Sequence, residues 1–275
     1  DAHQRSPSYK NTKGRIMQKQ LAIVGLALAL NACGDGNDDI FRGVDGSSSS
    51  RLTGVYLGSF TDENLSPRSI LGVIEKNSNF WLLYSLPADN GYTGIMRGHF
   101  SLSGNRFSAT NIRDYNFALN QTASVTLNGH YTAEKNLQGN VNNTNNRPFN
   151  LIYNTDYSRD NTSISSLQGR YSGRTTTLTN NVITTVNIDR SGVVTGIVGN
   201  QDKCAFAGRV SSENNAPYFN IHLVLTGSAS SDCLNGAQEV DGILLNQIDS
   251  QSIYMMAENS NQQDAILFIG QKTQN

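Results

Sequence analysis

The sequence has little charge of either sign. Only 16% of its 275 residues are Asp, Glu, Lys or Arg, and the formal net charge is −1, whereas an average soluble domain has about 25% charged residues. Nucleic-acid binding needs clustered Lys and Arg side chains that neutralise phosphates, so this composition predicts no nucleic-acid partner. An aromatic content of 8% also separates the chain from disordered tails, which combine high net charge with few aromatics.

Long hydrophobic runs are also missing. The apolar segment Leu21 to Leu30 has ten residues, which is too short to cross a hydrocarbon core of about 30 Å at 1.5 Å per residue. Because it follows Met17 and Lys19, it predicts the hydrophobic part of an export signal rather than a transmembrane helix. We therefore expect residues 17–32 to be a signal peptide and residues 1–16 to be an over-long leader.

The apolar segment ends in Leu30-Asn31-Ala32-Cys33, which resembles the lipobox of bacterial lipoprotein precursors. The resemblance implies that the signal is cut before Cys33 and that this cysteine carries the lipid. Two or three acyl chains hold a protein at a membrane persistently, while one chain binds it only marginally. We expect a cell-envelope protein anchored to the membrane through Cys33, with Gly34 favouring the outer membrane of a diderm bacterium. The alternative is an ordinary secretory signal with an incidental cysteine.

Cysteine is scarce and its count is odd. The chain has three cysteines, and an odd number in an exported protein leaves one to be explained. If Cys33 carries lipid, Cys204 and Cys233 remain as a pair for a disulfide in an oxidising compartment. The alternatives are two buried free thiols or a zinc site, although no C-x-x-C or Cys/His spacing accompanies the two cysteines.

Residues 33–51 are rich in Gly, Ser and Asp and have little to bury. This composition is typical of a flexible tether between an anchor and a folded domain. Asp35, Asp38 and Asp39 lie within it, but their spacing does not match a calcium loop and the terminal Glu of such a loop is missing. We therefore predict a solvated linker here.

Beyond the tether, the dominant period of the sequence is two. Apolar residues alternate with polar ones over 182–188, and a turn at 189–192 follows, which indicates a β-hairpin. The segment 80–86 is apolar at every position except one and is typical of a central strand covered on both sides. About sixteen such runs, separated by Gly- and Asn-rich turns, predict an all-β fold of antiparallel strands.

The two halves of the chain share a motif. Leu, Gly, Tyr and Gly occur in order in residues 52–58 and again 115 positions later. The sequence therefore predicts two tandem β-barrel or β-sandwich domains of about eight strands each, at 52–157 and 167–275, joined by a linker at 158–166. The alternative is that Leu-x-Gly, which recurs elsewhere in the chain, is a general strand-end pattern within one continuous sheet structure.

Further strand and turn motifs run through the second half of the first domain and the whole of the second: Gly129-His130-Tyr131, Leu137 to Val141, Leu167-x-Gly169-x-Tyr171, Cys204-x-Phe206-x-Gly208 and Ile266 to Gly270. Together they resemble a group of poorly characterised β-rich proteobacterial lipoproteins, over most of residues 52–271. The resemblance implies a shared fold and a location in the cell envelope. It brings no catalytic residue with it.

Candidate catalytic residues are few. After the signal, the histidines are His99, His130 and His222, and none has a neighbouring His or carboxylate at metal-ligand spacing. His99 and His130 each follow Gly and precede an aromatic residue, so we expect ordinary half-exposed strand histidines, with a paired site as the alternative. No nucleophile elbow, Walker loop or dinucleotide motif is present, which predicts a protein that is not an enzyme and has no cofactor.

Three further patterns have a structural interpretation, and two of them also have a functional one. Trp81 and Tyr84 could line a ligand cavity, since an eight-stranded barrel can hold one small molecule, but packing in the core or between domains explains them equally. The Asn- and Thr-rich stretch 142–148 predicts a long hairpin loop, with a contact surface as the alternative. The dispersed arginines are interpreted as lying on solvated strand faces: Arg106, Arg113, Arg170, Arg174 and Arg209.

The sequence thus predicts a lipid-anchored envelope protein that serves as a non-catalytic binding or structural module. Its partner would be an envelope protein, an extracellular protein or a small ligand. Three alternatives remain: a barrel that carries a small apolar ligand, a host-facing adhesin or inhibitor, and an envelope hydrolase whose triad residues are scattered along the chain.

Overall fold

The computed structural model describes residues 52–61, 66–85, 91–142, 146–158, 163–199, 204–227, 233–234, 236–247 and 250–273. The predicted leader at 1–16, signal peptide at 17–32 and tether at 33–51, with the proposed lipidation site Cys33, lie outside these residues. Within the described ranges, no helix has the length and apolar character needed to cross a bilayer.

The first half of the described chain forms an antiparallel β-barrel, barrel 1. Eight strands close it through the pairing of β4 with β6 and of β1 with β9, and the short β5 pairs with the first residues of β6. Closure pairs the edge strands and so removes the open edges that would invite aggregation. The strands are β1 (Gly54–Thr61), β2 (Pro67–Ile74), β3 (Asn79–Ser85), β4 (Tyr92–His99), β5 (Ser101–Ser103), β6 (Arg106–Asn116), β7 (Gln121–Thr132), β8 (Asn136–Asn142) and β9 (Asn146–Tyr153).

The second half forms barrel 2, in which eight antiparallel strands follow chain order and the last pairs with the first. One turn of helix, α1 (Thr155–Ser158), and a 3₁₀ helix (Ile164–Leu167) lie between the barrels in sequence. The prediction of two tandem eight-strand β-domains is confirmed. The strands are β10 (Gly169–Thr176), β11 (Asn181–Ile188), β12 (Val193–Val198), β13 (Ala205–Ser212), β14 (Phe219–Leu225), β15 (Gln238–Gln247), β16 (Ser252–Asn259) and β17 (Ala265–Lys272).

The prediction of a hairpin loop at 142–148 is wrong at both ends, because Asn142 is the last residue of β8 and residues 146–148 belong to β9. Strand β9 begins at Asn146, and its register places Arg147 opposite Val141 of β8. Arg147 is buried, with 9% of its surface exposed. The Asn-rich composition resembles a turn, but alternation along β9 turns Arg147 and Phe149 toward the barrel interior together.

Strand β3 is buried on both faces, as its apolar sequence predicts. Phe80, Leu82 and Tyr84 belong to the core inside barrel 1. Trp81 and Leu83 point the other way and pack against barrel 2. A strand covered by its own barrel on one side and by a second barrel on the other must be apolar at consecutive positions.

A continuous apolar layer joins the two barrels, and we call it the inter-barrel layer. It includes Trp81, the largest fully buried side chain, with 1% of its surface exposed. Burial of side chains this large contributes about 2 to 3 kcal/mol each. The layer consists of Val55, Leu71, Val73, Trp81, Leu83, Ile95, Tyr115 and Phe117 of barrel 1, and of Ala216, Tyr218, Ile243, Leu245, Met256, Ala265 and Leu267 of barrel 2.

The motif shared by the two halves has the same structure in both barrels. The Tyr56 hydroxyl donates to the carbonyl of Leu52 at 3.0 Å, and the Tyr171 hydroxyl donates to the carbonyl of Leu167 at 2.9 Å. Each bond fixes the chain entering the first strand of its barrel, which supports a repeated unit over a generic strand-end pattern. The glycine two residues before each tyrosine has a φ that other residues rarely adopt: Gly54 at +156° and Gly169 at +153°.

Cys204 and Cys233 form a disulfide, with Cα atoms 5.0 Å apart. Both cysteines lie in the core of barrel 2. The predicted pair is confirmed, and the free-thiol alternative is wrong. The bridge connects the start of β13 to the residues before β15, across a sequence separation of 29.

Candidate binding cleft

A cleft of about 670 Å³ lies between the barrels and adjoins the inter-barrel layer at Trp81. We call it the inter-barrel cleft. Its volume falls in the range of about 300 to 1,000 Å³ that is usual for ligand sites. Barrel 1 contributes Glu75 and Arg97 beside Trp81, and the second barrel contributes mainly polar residues of β13 to β16.

The barrel 1 side of the cleft is a buried charge cluster. Glu75 Oε1 accepts from Trp81 Nε1 and from Arg97 Nη1, each at 3.1 Å, and the Arg97 guanidinium lies 4.4 Å from the centre of the Trp81 ring. Burial raises the pKa of Glu75, and Arg97 opposes that rise. The charges of Glu75 and Arg97 are thus paired with each other in the wall of the cleft.

A second charged pair bridges the barrels beside the cleft, whose lining includes Glu258. Arg113 of β6 donates from Nε and Nη2 to the two carboxylate oxygens of Glu258 in β16, at 2.5 and 2.9 Å. The Tyr115 hydroxyl also contacts Glu258 Oε1, and burial raises the pKa of that hydroxyl. The expectation that Arg113 lies on a solvated face is wrong, because docking of barrel 2 covers this side of β6.

On the barrel 2 side, His222 Nδ1 and Asp241 Oδ1 are 2.8 Å apart. The two residues lie directly opposite each other on β14 and β15, with 50% and 77% of their side chains exposed. No carboxylate lies at metal-ligand spacing from His222 in the sequence, but the structure places Asp241 beside it. Sequence spacing could not reveal the pair, because strand register brings together residues 19 positions apart.

The cleft also contains Ser211, so the hydrolase alternative can be compared with geometry. Ser211 lies on β13 and pairs with Asn220, two positions along from the Arg209–His222 pair. In the part of the chain that the structure describes, no hydrogen bond joins Ser211 to His222, and both members of the His222–Asp241 pair are open to water. A catalytic triad needs the histidine between nucleophile and acid, and here the histidine contacts the acid alone.

The other two histidines are ordinary surface residues, as expected. His99 Nδ1 is 3.2 Å from Asn79 Oδ1 on the outside of barrel 1, and His130 is exposed on β7. Strand β6 lies between their strands, so no paired site forms. Among the described residues, no three His, Cys, Asp or Glu side chains lie close enough to hold a metal ion.

Trp81 and Tyr84, the two candidate cavity residues, have different positions. Trp81 borders the inter-barrel cleft, but it is almost entirely covered and acts as packing between the barrels. Tyr84 points into barrel 1, where its hydroxyl donates to Asp114 Oδ1 at 2.7 Å. Gly94 makes room for it, since a Cβ at that position would lie 2.1 Å from the Tyr84 hydroxyl.

The interior of barrel 2 is filled by side chains of every strand, among them Phe206, Phe219 and Phe268. Barrel 1 is filled in the same way, and the cavity that opens into it measures only about 140 Å³ and has both polar and apolar walls. A carrier of an apolar ligand requires an apolar cavity, which these packed interiors do not offer.

Comparison with protein-family models and with curated proteins finds no match. Solved structures with some similarity include the vaccine antigen transferrin binding protein B of Haemophilus parasuis Hp5, as a double mutant (TM-score 0.28, 7% identity, 80% of this chain and 76% of that chain). Another is a protein of unknown function from the DUF3598 family of Nostoc punctiforme PCC 73102 (TM-score 0.28, 13% identity, 81% and 97%). Scores this low assign the chain to neither family.

Proposed function

We propose that this chain is a lipid-anchored protein of the bacterial cell envelope, and that its two barrels form a non-catalytic module that binds a polar segment of a partner protein in the inter-barrel cleft. The anchor is Cys33, and the compartment is the outer membrane of a diderm bacterium. The observation that carries the binding proposal is the cleft itself, which two closed barrels hold open at about 670 Å³.

The lining of the cleft indicates the kind of ligand. Its barrel 2 side presents Arg209, Asn220, His222 and Asp241, which supply both signs of charge and both donors and acceptors. The nearest aromatic ring, that of Trp81, is covered by Arg97. A lining of this kind matches a peptide segment with charged and amide side chains better than an apolar molecule, because complementary charges give protein contacts their specificity.

The binding proposal is tested by charge reversal within the cleft. The full chain would be used to capture partners from an envelope extract and from culture medium, and each captured protein would then be titrated against purified variants. We expect Arg209→Glu to weaken binding about tenfold or more, as loss of a charged contact does at a protein interface. Arg106→Glu, an exposed arginine on barrel 1, is the matched control. Equal binding by both variants would refute the cleft as the site.

The anchor is tested separately. Cys33→Ala should move the protein from the membrane fraction to the soluble fraction, and mass spectrometry of the unaltered protein should find the lipid on the Cys33 peptide. A variant that stays in the membrane fraction would contradict the lipoprotein assignment and would leave the cleft proposal standing.

A host-facing adhesin or inhibitor differs from a periplasmic module only in orientation. Protease treatment of intact cells distinguishes the two, because an outward-facing domain is cleaved and an inward-facing one is protected until the outer membrane is opened.

The His222–Asp241 pair is the observation that favours the second candidate, an envelope hydrolase with Ser211 as its nucleophile. We expect no reaction of Ser211 with a fluorophosphonate probe, since no base contacts it. Labelling that disappears in Ser211→Ala and in His222→Gln would establish the hydrolase instead.

A further inference from the structure

A separate polar cavity of about 140 Å³ opens at one end of barrel 1. We call it the barrel 1 cavity. Its apolar walls include Phe60 and Met96, and its polar walls are formed by Arg68, Tyr84, Thr93, Asp114, Asn116 and Arg147. Alternation along their strands turns Phe60, Tyr84 and Met96 into the core of the barrel, so the cavity is part of the barrel interior and distinct from the inter-barrel cleft.

Arg147 has hydrogen-bond donors in this cavity that nothing accepts. Its side chain is buried, and neither Nε nor Nη2 has a hydrogen-bond partner. Its guanidinium lies 5.5 Å from the centre of the Phe60 ring, a contact that fixes the group in place without satisfying an N–H. An arginine stays charged at every physiological pH, and a buried charge with unmade hydrogen bonds is strongly unfavourable.

The neighbouring polar groups do not fill these donors. Asp114 accepts the Tyr84 hydroxyl at 2.7 Å, and among the described residues it forms no ion pair with Arg147. Thr93 Oγ1, on the same cavity wall, is also buried without a partner. Two nitrogens and one hydroxyl around one small space therefore lack hydrogen-bond partners. Buried polar groups in proteins normally have such partners.

The identity of the two nitrogens indicates what they bind. Nε–H and Nη2–H are parallel donors on one edge of a guanidinium, and their spacing matches the two oxygens of a carboxylate. The same protein uses this edge elsewhere: Arg113 holds both oxygens of Glu258 with its own Nε and Nη2. In Arg147, which lines the barrel 1 cavity, the same two nitrogens have no hydrogen-bond partner.

We propose that the barrel 1 cavity binds a small free carboxylate, held by Nε and Nη2 of Arg147 and by the Thr93 hydroxyl, with its short apolar part against Phe60 and Met96. At about 30 Å³ per water-sized group, the cavity holds roughly four or five non-hydrogen atoms, which is the size of acetate or propionate. A phosphate fits less well, because it lacks the planar pair of oxygens that the parallel Nε–H and Nη2–H donors match.

The carboxylate is tested with unaltered full-length protein and four probes: acetate, propionate, propionamide and inorganic phosphate. Propionamide has the shape of propionate without its charge, and phosphate has charge without the planar pair of oxygens. We expect isothermal titration calorimetry to give binding of acetate and propionate at least tenfold tighter than of the other two. No binding of either carboxylate would mean that the cavity holds water only. Equal binding of phosphate would mean a general anion site, and either result overturns the proposal.

The position of the ligand is tested by methyl NMR on the same unaltered protein labelled at methionine. Met96 lines the cavity, whereas Met255 lies in the core of barrel 2 and Met256 in the inter-barrel layer. Propionate should shift the Met96 methyl resonance and leave those of Met255 and Met256 unchanged. A shift confined to the other two methionines would place the ligand elsewhere and refute the site.

Variants then distinguish binding by the two parallel N–H donors of Arg147 from binding by its positive charge alone. Arg147→Lys keeps the charge and loses the parallel N–H edge, so propionate binding should weaken at least tenfold, while Arg106→Lys on the exposed face of β6 should leave it unchanged. Thr93→Val removes one hydrogen bond and should weaken binding several-fold. Retention of full affinity by Arg147→Lys, with a native circular dichroism spectrum, would refute the proposed contacts. If Arg147→Lys does not fold, Thr93→Val and the Met96 resonance decide the question.

Discussion

Arg113 of β6 and Glu258 of β16 are joined by two hydrogen bonds across the junction of the barrels, and their side chains are 30% and 12% exposed. The pair lies where the apolar inter-barrel layer meets the polar inter-barrel cleft. It therefore links the packing that holds the barrels together to the geometry of the proposed binding site.

Removal of the Glu258 charge should loosen this junction. Glu258→Gln keeps the size of the side chain and an acceptor for Tyr115, and should lower the free energy of unfolding by about 1.5 to 3 kcal/mol, as expected for a hydrogen bond to a charged group. Urea denaturation measures the change. Glu239→Gln, at an exposed position on β15, is the control and should change stability by less than about 0.5 kcal/mol. A loss at Glu258 no larger than at the control would contradict the role given to the pair.

The repeated tyrosines should make equal contributions. Tyr56→Phe and Tyr171→Phe each remove a hydroxyl and leave a leucine carbonyl without its donor, at a cost of about 1 to 2 kcal/mol. We expect the two losses, measured by urea denaturation, to agree within about 0.5 kcal/mol. Tyr153→Phe, which removes a hydroxyl from the last strand of barrel 1, is the comparison. Unequal losses would argue against a shared structural unit.

Asp114 should give the protein a specific dependence on pH. Burial raises the pKa of Asp114 above its ordinary value of 3.8, so the folded state holds the proton more tightly than the unfolded state does. The contribution of Asp114 to the free energy of unfolding should then fall as pH rises from about 3.8 through the raised pKa. The Asp114→Asn side chain still accepts a hydrogen bond from the Tyr84 hydroxyl, but it does not titrate. The substitution therefore removes this pH-dependent contribution.

The measurement is a set of urea denaturation curves between about pH 3 and pH 8, where carboxylates change charge. The stability of Asp114→Asn minus that of the unaltered protein should grow as pH rises and then level off. Glu75 also titrates with a raised pKa, but it is present in both proteins and cancels in the difference. A difference that does not change with pH would mean that the Asp114 pKa is ordinary.

The disulfide should stabilise barrel 2 by restricting the unfolded chain. Replacement of both Cys204 and Cys233 by Ala should lower the free energy of unfolding by about 3 to 4 kcal/mol for a loop of this length. Treatment of the unaltered protein with a reductant should have a similar effect. Cys33→Ser retains the bridge and should respond to the reductant as the unaltered protein does. A double variant as stable as the unaltered protein would contradict this role.

Much of the fold could be predicted from the sequence because strands carry their own signal. The period of two along 182–188 identifies β11, and the apolar run 80–86 identifies β3 and its two covered faces. Gly and Asn mark the turns, and the displaced Leu-x-Gly-x-Tyr motif marks the start of each barrel. These are local patterns, and antiparallel neighbours joined by short turns extend them to a sheet.

The sites could not be predicted because they depend on which strands meet. His222 and Asp241 become neighbours through strand register, and Arg113 and Glu258 only through docking of one barrel on the other. Arg147 lies in a stretch whose Asn content resembles a loop. In each case a polar residue acquires its role from a distant partner that no local pattern identifies.

The inter-barrel layer has a consequence for how the chain is made. Barrel 1 has all its strands once residue 153 is synthesised, but its outward Trp81 and Leu83 remain uncovered until the strands of barrel 2 follow, and Leu267 of the last strand is part of the covering. Until barrel 2 is complete, barrel 1 exposes this apolar face, so the second barrel is needed to cover the surface of the first.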